Sequence, residues 1–370
     1  VRILERVGFD ARLIGGLGIG RYIRGLLPPL AETLGEHLTV LATPHDRAPV
    51  RAEVGSAPTI VVAGAAPYRL QEQTALLAQL TRRQFQLVHF PHYNLPVAYR
   101  GRFVVTIHDL FSFQFPEIHS GGLPRLVNQV LMTNAVRRAA AIITPSQATA
   151  AELLSRFPDA EGRVHPIAEA ADPRFGPERD RKAEATWQEH FRIKPPYLLS
   201  LGQWKAYKNL PLLIEAFGLV LRQRAQAQLV IAGHDPRHPE VAAAAATLPA
   251  GSVVFPGRLP DDAIADLYRG AAAVVLPSRA EGFGLPVIEA MACGTRVVCS
   301  DLPVLREVAG DVPIYCDPTD AGSFAEGMLT ALTPPADDRR PELGIARAGL
   351  FSWQKAAAET IAVYEQAGAR

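Results

Sequence analysis

Little in this chain points to a stapled, thiolate-bound or membrane-spanning protein. Its 370 residues hold three cysteines, Cys293, Cys299 and Cys316, none in C-x-x-C spacing. That argues against a disulfide framework or a zinc site. All three lie in or beside apolar strand and helix segments and read as small core residues. No run approaches the 18 or so apolar residues of a spanning helix, and no signal-peptide pattern opens the chain. The expected location is the cytoplasm, with peripheral contact to the inner membrane face through the N-terminal half left open. Charge of one sign is also missing. A net charge of +1 gives no general argument for nucleic acid. Residues 1–175 carry 18 arginines, no lysine and 14 acidic residues. That mild excess is compatible with an anionic acceptor or a membrane surface.

What is present is an ordinary globular composition, 48% hydrophobic and 20% charged, in a chain longer than one core usually serves. Short apolar strands alternate with amphipathic helices, the pattern of doubly wound α/β sheets. In the first half, strands are expected at Ile3–Val7, Leu38–Leu41, Thr59–Val62, Leu87–Phe90, Phe103–Ile107, Ala141–Thr144 and Arg163–Val164. Helices are expected near Ile19–Leu34, Tyr68–Arg82, Leu123–Arg138 and Gln147–Phe157, the last capped by Ser146. Between Pro166 and Pro196 the pattern lapses into a polar linker with a short helix at most. A second series follows, with strands at Tyr197–Leu201, Gln228–Ile231, Val253–Phe255, Ala272–Leu276, Arg296–Cys299 and Pro313–Tyr315. A second polar break spans Pro334–Glu342, and an amphipathic helix closes the chain from about Trp353.

The densest chemistry lies after the strand Ala272–Leu276. Pro277-Ser278-Arg279-Ala280-Glu281-Gly282-Phe283-Gly284-Leu285-Pro286 runs on into Val287-Ile288-Glu289-Ala290-Met291-Ala292-Cys293-Gly294. The order is strand, glycine loop, helix, with Pro286 suited to the first helical turn. The N–H groups of Gly282, Phe283 and Gly284 can point at a phosphate, aided by the helix dipole. Glu289 lies about one turn into the helix, in reach of sugar or ribose hydroxyls, and Glu281 sits at the mouth.

This stretch resembles the donor site of the retaining family 4 glycosyltransferases, which carry two glutamates at this separation. The match includes the leading Pro-Ser, the Gly-Phe-Gly-Leu-Pro between the glutamates and the trailing Glu-Ala-Met-Ala-Cys-Gly. A bare glutamate pair would be weak; the strand and helix context gives it weight. The resemblance covers nearly the whole chain and is strongest from Tyr197 to Asp317. It implies the GT-B architecture, two Rossmann-like doubly wound domains facing across a cleft. Residues 1–175 would form the N-terminal acceptor domain and 190–350 the C-terminal nucleotide-sugar domain. The last helix, 352–370, would pack back on the first domain.

Three further motifs extend the resemblance. Lys208-Asn209 matches the lysine that neutralises the donor diphosphate. The arginine positions of many relatives hold Gln203 and Tyr207 here, which leaves Lys205 as the candidate second charge. Thr106-Ile107-His108-Asp109-Leu110 ends an apolar strand, and in relatives this histidine contacts the donor sugar. Gly15-Gly16-Leu17-Gly18-Ile19-Gly20-Arg21-Tyr22 fails the dinucleotide spacing, since the sixth position from Gly16 is Arg21. It resembles the Gly-Ile-Gly-Arg-Tyr loop of the bacterial mannosyltransferase-like branch. The chain has no Asp-x-Asp to hold a divalent metal on the diphosphate.

The resemblance thus implies a retaining, metal-independent hexosyltransferase with no cofactor and a nucleotide-diphosphate sugar as co-substrate. The catalytic set is His108, Lys208 and Glu281. The donor-binding set is Gly16, Gly18, Lys205, Gly282, Phe283, Gly284, Leu285 and Glu289. The expected donor is GDP-mannose and the acceptor a glycan or lipid-linked hydroxyl. Glucosyl, galactosyl or rhamnosyl transfer from a UDP- or dTDP-sugar stays open. A phosphorylase would need a cofactor lysine and a longer chain. An epimerase would need carboxylates at other strand ends, and a non-catalytic binding module would lack His108 or Lys208. His89 and His92 have metal-like spacing without an evident third ligand. These two, with Glu117 and His119, stay unassigned.

Overall fold

The computed structural model describes residues 4–115 and 125–369. Glu117 and His119 lie outside the described residues, as do Ile3 and Leu123 at the starts of an expected strand and helix. Two compact units divide the chain, Val1–Ala170 with Phe351–Arg370, and Ala171–Leu350. The sequence reading left 176–189 outside both domains; the structure gives this segment to the second unit. Its helix, Arg181–His190, is capped by the Asp180 carboxylate, which accepts from the amides of Lys182 and Ala183. No helix among the described residues is long and apolar enough to cross a membrane.

The first unit is built on β1 Val7–Asp10, β2 Leu38–Ala42, β3 Thr59–Val62, β4 Leu87–Phe90, β5 Phe103–Thr106, β6 Ala141–Thr144 and β7 Val164–Pro166. They pair in parallel, in the order β3-β2-β1-β4-β5-β6-β7. The first strand runs later than expected. Val7, Gly8 and Phe9 face partners on both β2 and β4, so its two-sided pairing selects the charge-free Val-Gly-Phe run after Glu5 and Arg6. The expected helix Tyr68–Arg82 is broken into a single turn, Leu70–Gln73, and a helix, Ala75–Arg83. Tyr68 has φ +60°, which ordinary helix geometry excludes. A helix at Arg47–Val54, too polar to stand out by periodicity, was not foreseen.

Apolar side chains fill both faces of this sheet. One face is covered by Gly18–Leu34 and by the last helix, Trp353–Ala369. Trp353 lies over Gly25, where any Cβ would overlap the indole. A buried polar chain pins the other end of this helix. Tyr364 Oη lies 2.6 Å from His89 Nδ1, His89 Nε2 lies 2.8 Å from Thr106 Oγ1, and that hydroxyl is 3.0 Å from Tyr22 Oη. Burial, with the nearby charge of His108, pushes the His89 pKa down to about 3, so the ring is neutral.

The second unit is built on β8 Tyr197–Leu201, β9 Gln228–Ala232, β10 Val253–Val254, β11 Ala273–Leu276, β12 Val297–Ser300 and β13 Ile314–Cys316. These also pair in parallel, in the order β10-β9-β8-β11-β12-β13. The three cysteines are buried and unbridged, as small core residues should be. The polar break near Pro334 ends sooner than expected, in the helix Arg340–Ala348. Gly344 brings that helix against Met291.

Replacing Tyr364 with Phe keeps the packing of the last helix but leaves a His89 ring nitrogen buried without its partner. The expected loss is about 1–3 kcal/mol of unfolding free energy, read by denaturant titration with tyrosine or tryptophan fluorescence. A variant as stable as the parent would mean that the polar chain adds nothing to the docking of this helix.

Candidate functional site

In open parallel sheets, ligands bind outside the carboxyl ends of the strands where the strand order reverses. The second sheet reverses between β8 and β11, which are neighbours although their sequences are far apart. The loops after these strands carry the expected donor motifs. The β8 loop passes through the turn Ala206–Lys208 and enters the helix Leu210–Leu221 through Asn209. Asn209 has φ +57°, a conformation its side chain tolerates better than most. The β11 loop enters the helix Leu285–Ala292 through Gly284, at φ +96°, where a Cβ would strike Leu305. Glycine is required there on both counts.

The two loops are stitched together. The Arg279 amide donates to the Tyr207 carbonyl at 2.7 Å, and Lys208 Nζ donates to Glu281 Oε1 at 2.7 Å. Both side chains of that pair are largely buried, at 13% and 9% exposure. One polar point is thus formed by a cation and a carboxylate from opposite sides of the reversal. A pocket opens beside it, lined by Gly202, Gln203, Lys208 and Ser278 among others. The Ser278 hydroxyl is buried and has no hydrogen-bond partner. An ammonium and an unpaired hydroxyl in one pocket suit an anionic, oxygen-rich ligand.

Other expected donor residues take more specific places. Glu289 is buried, and Tyr268 Oη donates to its Oε2 at 3.0 Å. The glutamate lies in the helix where expected, but it sits inside, held by a tyrosine from the helix Asp261–Gly270. Phe283 is an interior side chain, so only its backbone can serve a ligand, whereas Gly282 and Leu285 are half-buried. Lys205 lies 3.7 Å from Asp235, whose carboxylate also takes both ends of Arg237. Behind them Gly233, at φ +100°, donates to the Gly257 carbonyl at 2.7 Å, and a Cβ there would overlap the Gly202 carbonyl. This is a bare backbone wall at the ends of β8, β9 and β10.

The first sheet reverses between β1 and β4. Gly16 and Gly18 lie in the exposed loop after β1, at the start of the helix Gly18–Leu34. The close backbone approach belongs to Gly20, where a Cβ would crowd the Ile14 carbonyl; at Gly18 it would meet open space. Arg12 turns inward instead. It clasps Asp10 through two 2.8 Å bonds and reaches Glu72 at 2.7 Å; Asn94 donates to the same Glu72 carboxylate. His108, after β5, has Nε2 at 2.9 Å from the Pro91 carbonyl and Nδ1 at 3.1 Å from Glu169 Oε1. His89 and His92 have separate partners, since His92 Nδ1 accepts from the Asn94 amide.

Sequence reasoning missed Glu169, Tyr268 and the Asp10–Arg12–Glu72 cluster. The available signal for Glu169 was an acid among Ile167, Ala168 and Ala170, directly after a strand. For Tyr268 and Glu72 there was none, because each is defined by a partner distant in the chain.

Two family models match the chain, one described as glycosyl transferases group 1 over residues 182–344, the other as glycosyltransferase family 4 over residues 17–175. The chain is similar to the O-antigen chain mannosyltransferase B of Escherichia coli, 29% identical over 286 residues, 75% of this chain and 74% of that protein. It is also similar to the serotype-specific mannosyltransferase WbdA of E. coli, 30% identical over 228 residues, a stretch that is only 28% of that longer protein. Among solved structures, a sucrose-phosphate synthase from Thermosynechococcus elongatus aligns with a TM-score of 0.76 at 21% identity, over 98% of each chain. Anabaena HepE in complex with UDP and glucose aligns at 0.74 with 17% identity, over 98% of this chain and 99% of that one.

The Lys208–Glu281 geometry sets up a competition. A bound anion must share the ammonium with a carboxylate that also repels it. Glu281→Gln should therefore tighten binding of inorganic pyrophosphate by on the order of tenfold, about 1.4 kcal/mol. Calorimetry on both proteins is the check, and unchanged or weaker binding would mean that Glu281 serves to aim Lys208.

Proposed function

The chain belongs to the family 4 glycosyltransferases of the GT-B fold, and from that premise we propose that it transfers mannose from GDP-mannose, with retention. The acceptor is a hydroxyl of a glycan or a lipid-linked oligosaccharide. The observation that carries this reading is the Lys208–Glu281 point at the strand-order reversal, beside a pocket with an unpaired serine hydroxyl. The mannosyl assignment is supported by the E. coli relatives, both mannosyltransferases.

In this reading Lys208 faces the donor diphosphate. Charge on that diphosphate grows as the bond to the sugar C1 breaks, so a fixed ammonium stabilises the transition state more than the ground state. Ser278 donates to the same oxygens. Glu281 accepts from sugar hydroxyls and is not a nucleophile. Glu289 binds the ribose diol, with Tyr268 fixing its carboxylate. The Gly202–Gly233–Gly257 wall gives the base a flat backbone surface. The acceptor oxygen attacks from the face that the leaving phosphate departs, and that phosphate takes the acceptor proton. His108 in the N-terminal unit acts on the transfer step. The proposed setting is the cytoplasm, with peripheral membrane contact where the acceptor is lipid-linked.

Released nucleotide measured across GDP-mannose, UDP-glucose, UDP-galactose and dTDP-rhamnose, with and without acceptor extract, tests the donor. GDP-mannose should lead the panel, and turnover should survive excess EDTA because Lys208 meets the diphosphate charge. Preference for a UDP-sugar, or loss of turnover restored by a divalent ion, would overturn the corresponding part.

Lys208→Ala should lower kcat by about 2–4 kcal/mol, roughly 30- to 1,000-fold, with a smaller change in affinity for the donor. If the variant turns over like the parent, the phosphate role passes to Lys205. Glu289→Ala should weaken nucleotide binding by about 1.5–3 kcal/mol, read by calorimetry with GDP, and unchanged affinity would take Glu289 out of the site.

A further inference from the structure

His108 has no ring nitrogen left over. Nε2 faces the Pro91 carbonyl oxygen at 2.9 Å, and Nδ1 faces Glu169 Oε1 at 3.1 Å. A carbonyl oxygen only accepts, so Nε2 carries a hydrogen. An ionised carboxylate also only accepts, so Nδ1 carries the other. With Glu169 a carboxylate, the ring that donates to both partners is an imidazolium. We propose that Glu169, with the Pro91 carbonyl, holds His108 as a fixed cation, so that it contributes positive charge to the transfer and never takes a proton. Glu169 is then the positioning residue of this histidine. The proposal rests on the reading of His108 as a residue of the transfer step.

The surroundings agree with that assignment. His108 follows β5, Pro91 follows β4 and Glu169 follows β7, so three strand ends of one sheet fix the ring. Glu169 is 4% exposed, and the Tyr22 ring meets the imidazole edge-on at 4.8 Å. The titratable groups around the ring are Glu169, Asp109, His89, His92 and Tyr22. Burial opposes charge on His108, but the hydrogen bond and charge of Glu169, the charge of Asp109 and the Pro91 carbonyl outweigh it, and its pKa lies above the ordinary value. Burial, with the His108 charge, pushes both His89 and His92 down to about 3. Burial pushes the Tyr22 hydroxyl up, so it stays neutral.

The sign of the pH dependence separates a cation from a base. A base loses activity as pH falls and it gains a proton. A required cation loses activity as pH rises through its raised pKa. Glu169→Gln keeps the length and an accepting oxygen but removes the charge. It should lower the His108 pKa by about 1–3 units, the usual span for one close opposite charge. Glu169→Asp keeps the charge and should hold the pKa near that of the parent.

The test is 15N NMR of the histidine rings in the full chain, with His108 assigned through a His108→Gln variant, followed by titration of the parent and both Glu169 variants. Release of GDP from GDP-mannose into water is measured over the same pH range. In the parent at pH 7.5 both His108 nitrogens should be protonated, and the alkaline limb of GDP release should move down with the NMR titration in Glu169→Gln. A bare His108 nitrogen in the parent at pH 7.5 overturns the proposal, and needs no variant to fold. Equal titration of His108 in parent and Glu169→Gln removes Glu169 as the positioning residue. Normal transfer by His108→Gln, with the parent ring doubly protonated, instead removes His108 from the reaction and leaves the ion pair standing.

Discussion

The reversal of strand order between β8 and β11 is the constraint on which the candidate donor site depends. In a parallel sheet each strand hands its chain to a loop at the same edge, so neighbouring strands present neighbouring loops. Because β8 and β11 are neighbours, the Lys208 and Glu281 loops meet although 73 residues separate those side chains. The Arg279 amide and Tyr207 carbonyl fix how closely the loops approach. The ammonium and carboxylate are thereby placed before any ligand arrives, and groups already oriented cost little reorganisation when charge develops nearby.

Both units carry buried polar groups, and in each the groups are partnered by other residues of the unit. Tyr268 holds Glu289, Glu169 holds His108, and Asp10 and Glu72 hold Arg12. A buried charge left alone would be costly, and a buried pair gains little stability over apolar packing. What such pairs supply is direction: each fixes one rotamer of a side chain that would otherwise sample several. The last helix serves a similar end at longer range. Through Trp353 on Gly25 and Tyr364 on His89, it anchors the first helix and the strands β4 and β5, from whose carboxyl ends Pro91 and His108 emerge.

Much of this was legible in the chain itself. The strands Leu87–Phe90, Ala141–Thr144 and Tyr197–Leu201 fall where their short apolar runs place them, because a strand covered on both faces needs continuous hydrophobicity. Ser146 caps its helix as expected, accepting from the Thr149 amide, since that bond spans three residues and is local. The glutamate motif fell on the expected strand, glycine loop and helix. Periodicity, capping and turn chemistry are properties of neighbours in sequence, so the chain alone determines them.

Partnership between distant residues is not such a property. Nothing near Glu289 announces that Tyr268 will bury it, and nothing near Glu169 announces a histidine 61 residues earlier. The helix Arg181–His190 looked like linker because its one strongly buried side chain, Glu184, is an acid whose burial depends on Arg179. His108 was legible as a candidate, but its partners Pro91 and Glu169 were not. The sequence alone determined which loops follow which strands and how their helices begin, because local pattern sets strands, turns and caps. Only the tertiary structure decided which side chains are buried, paired and charged, because those depend on what the packed sheet brings within about 3 Å, the distance at which hydrogen bonds form.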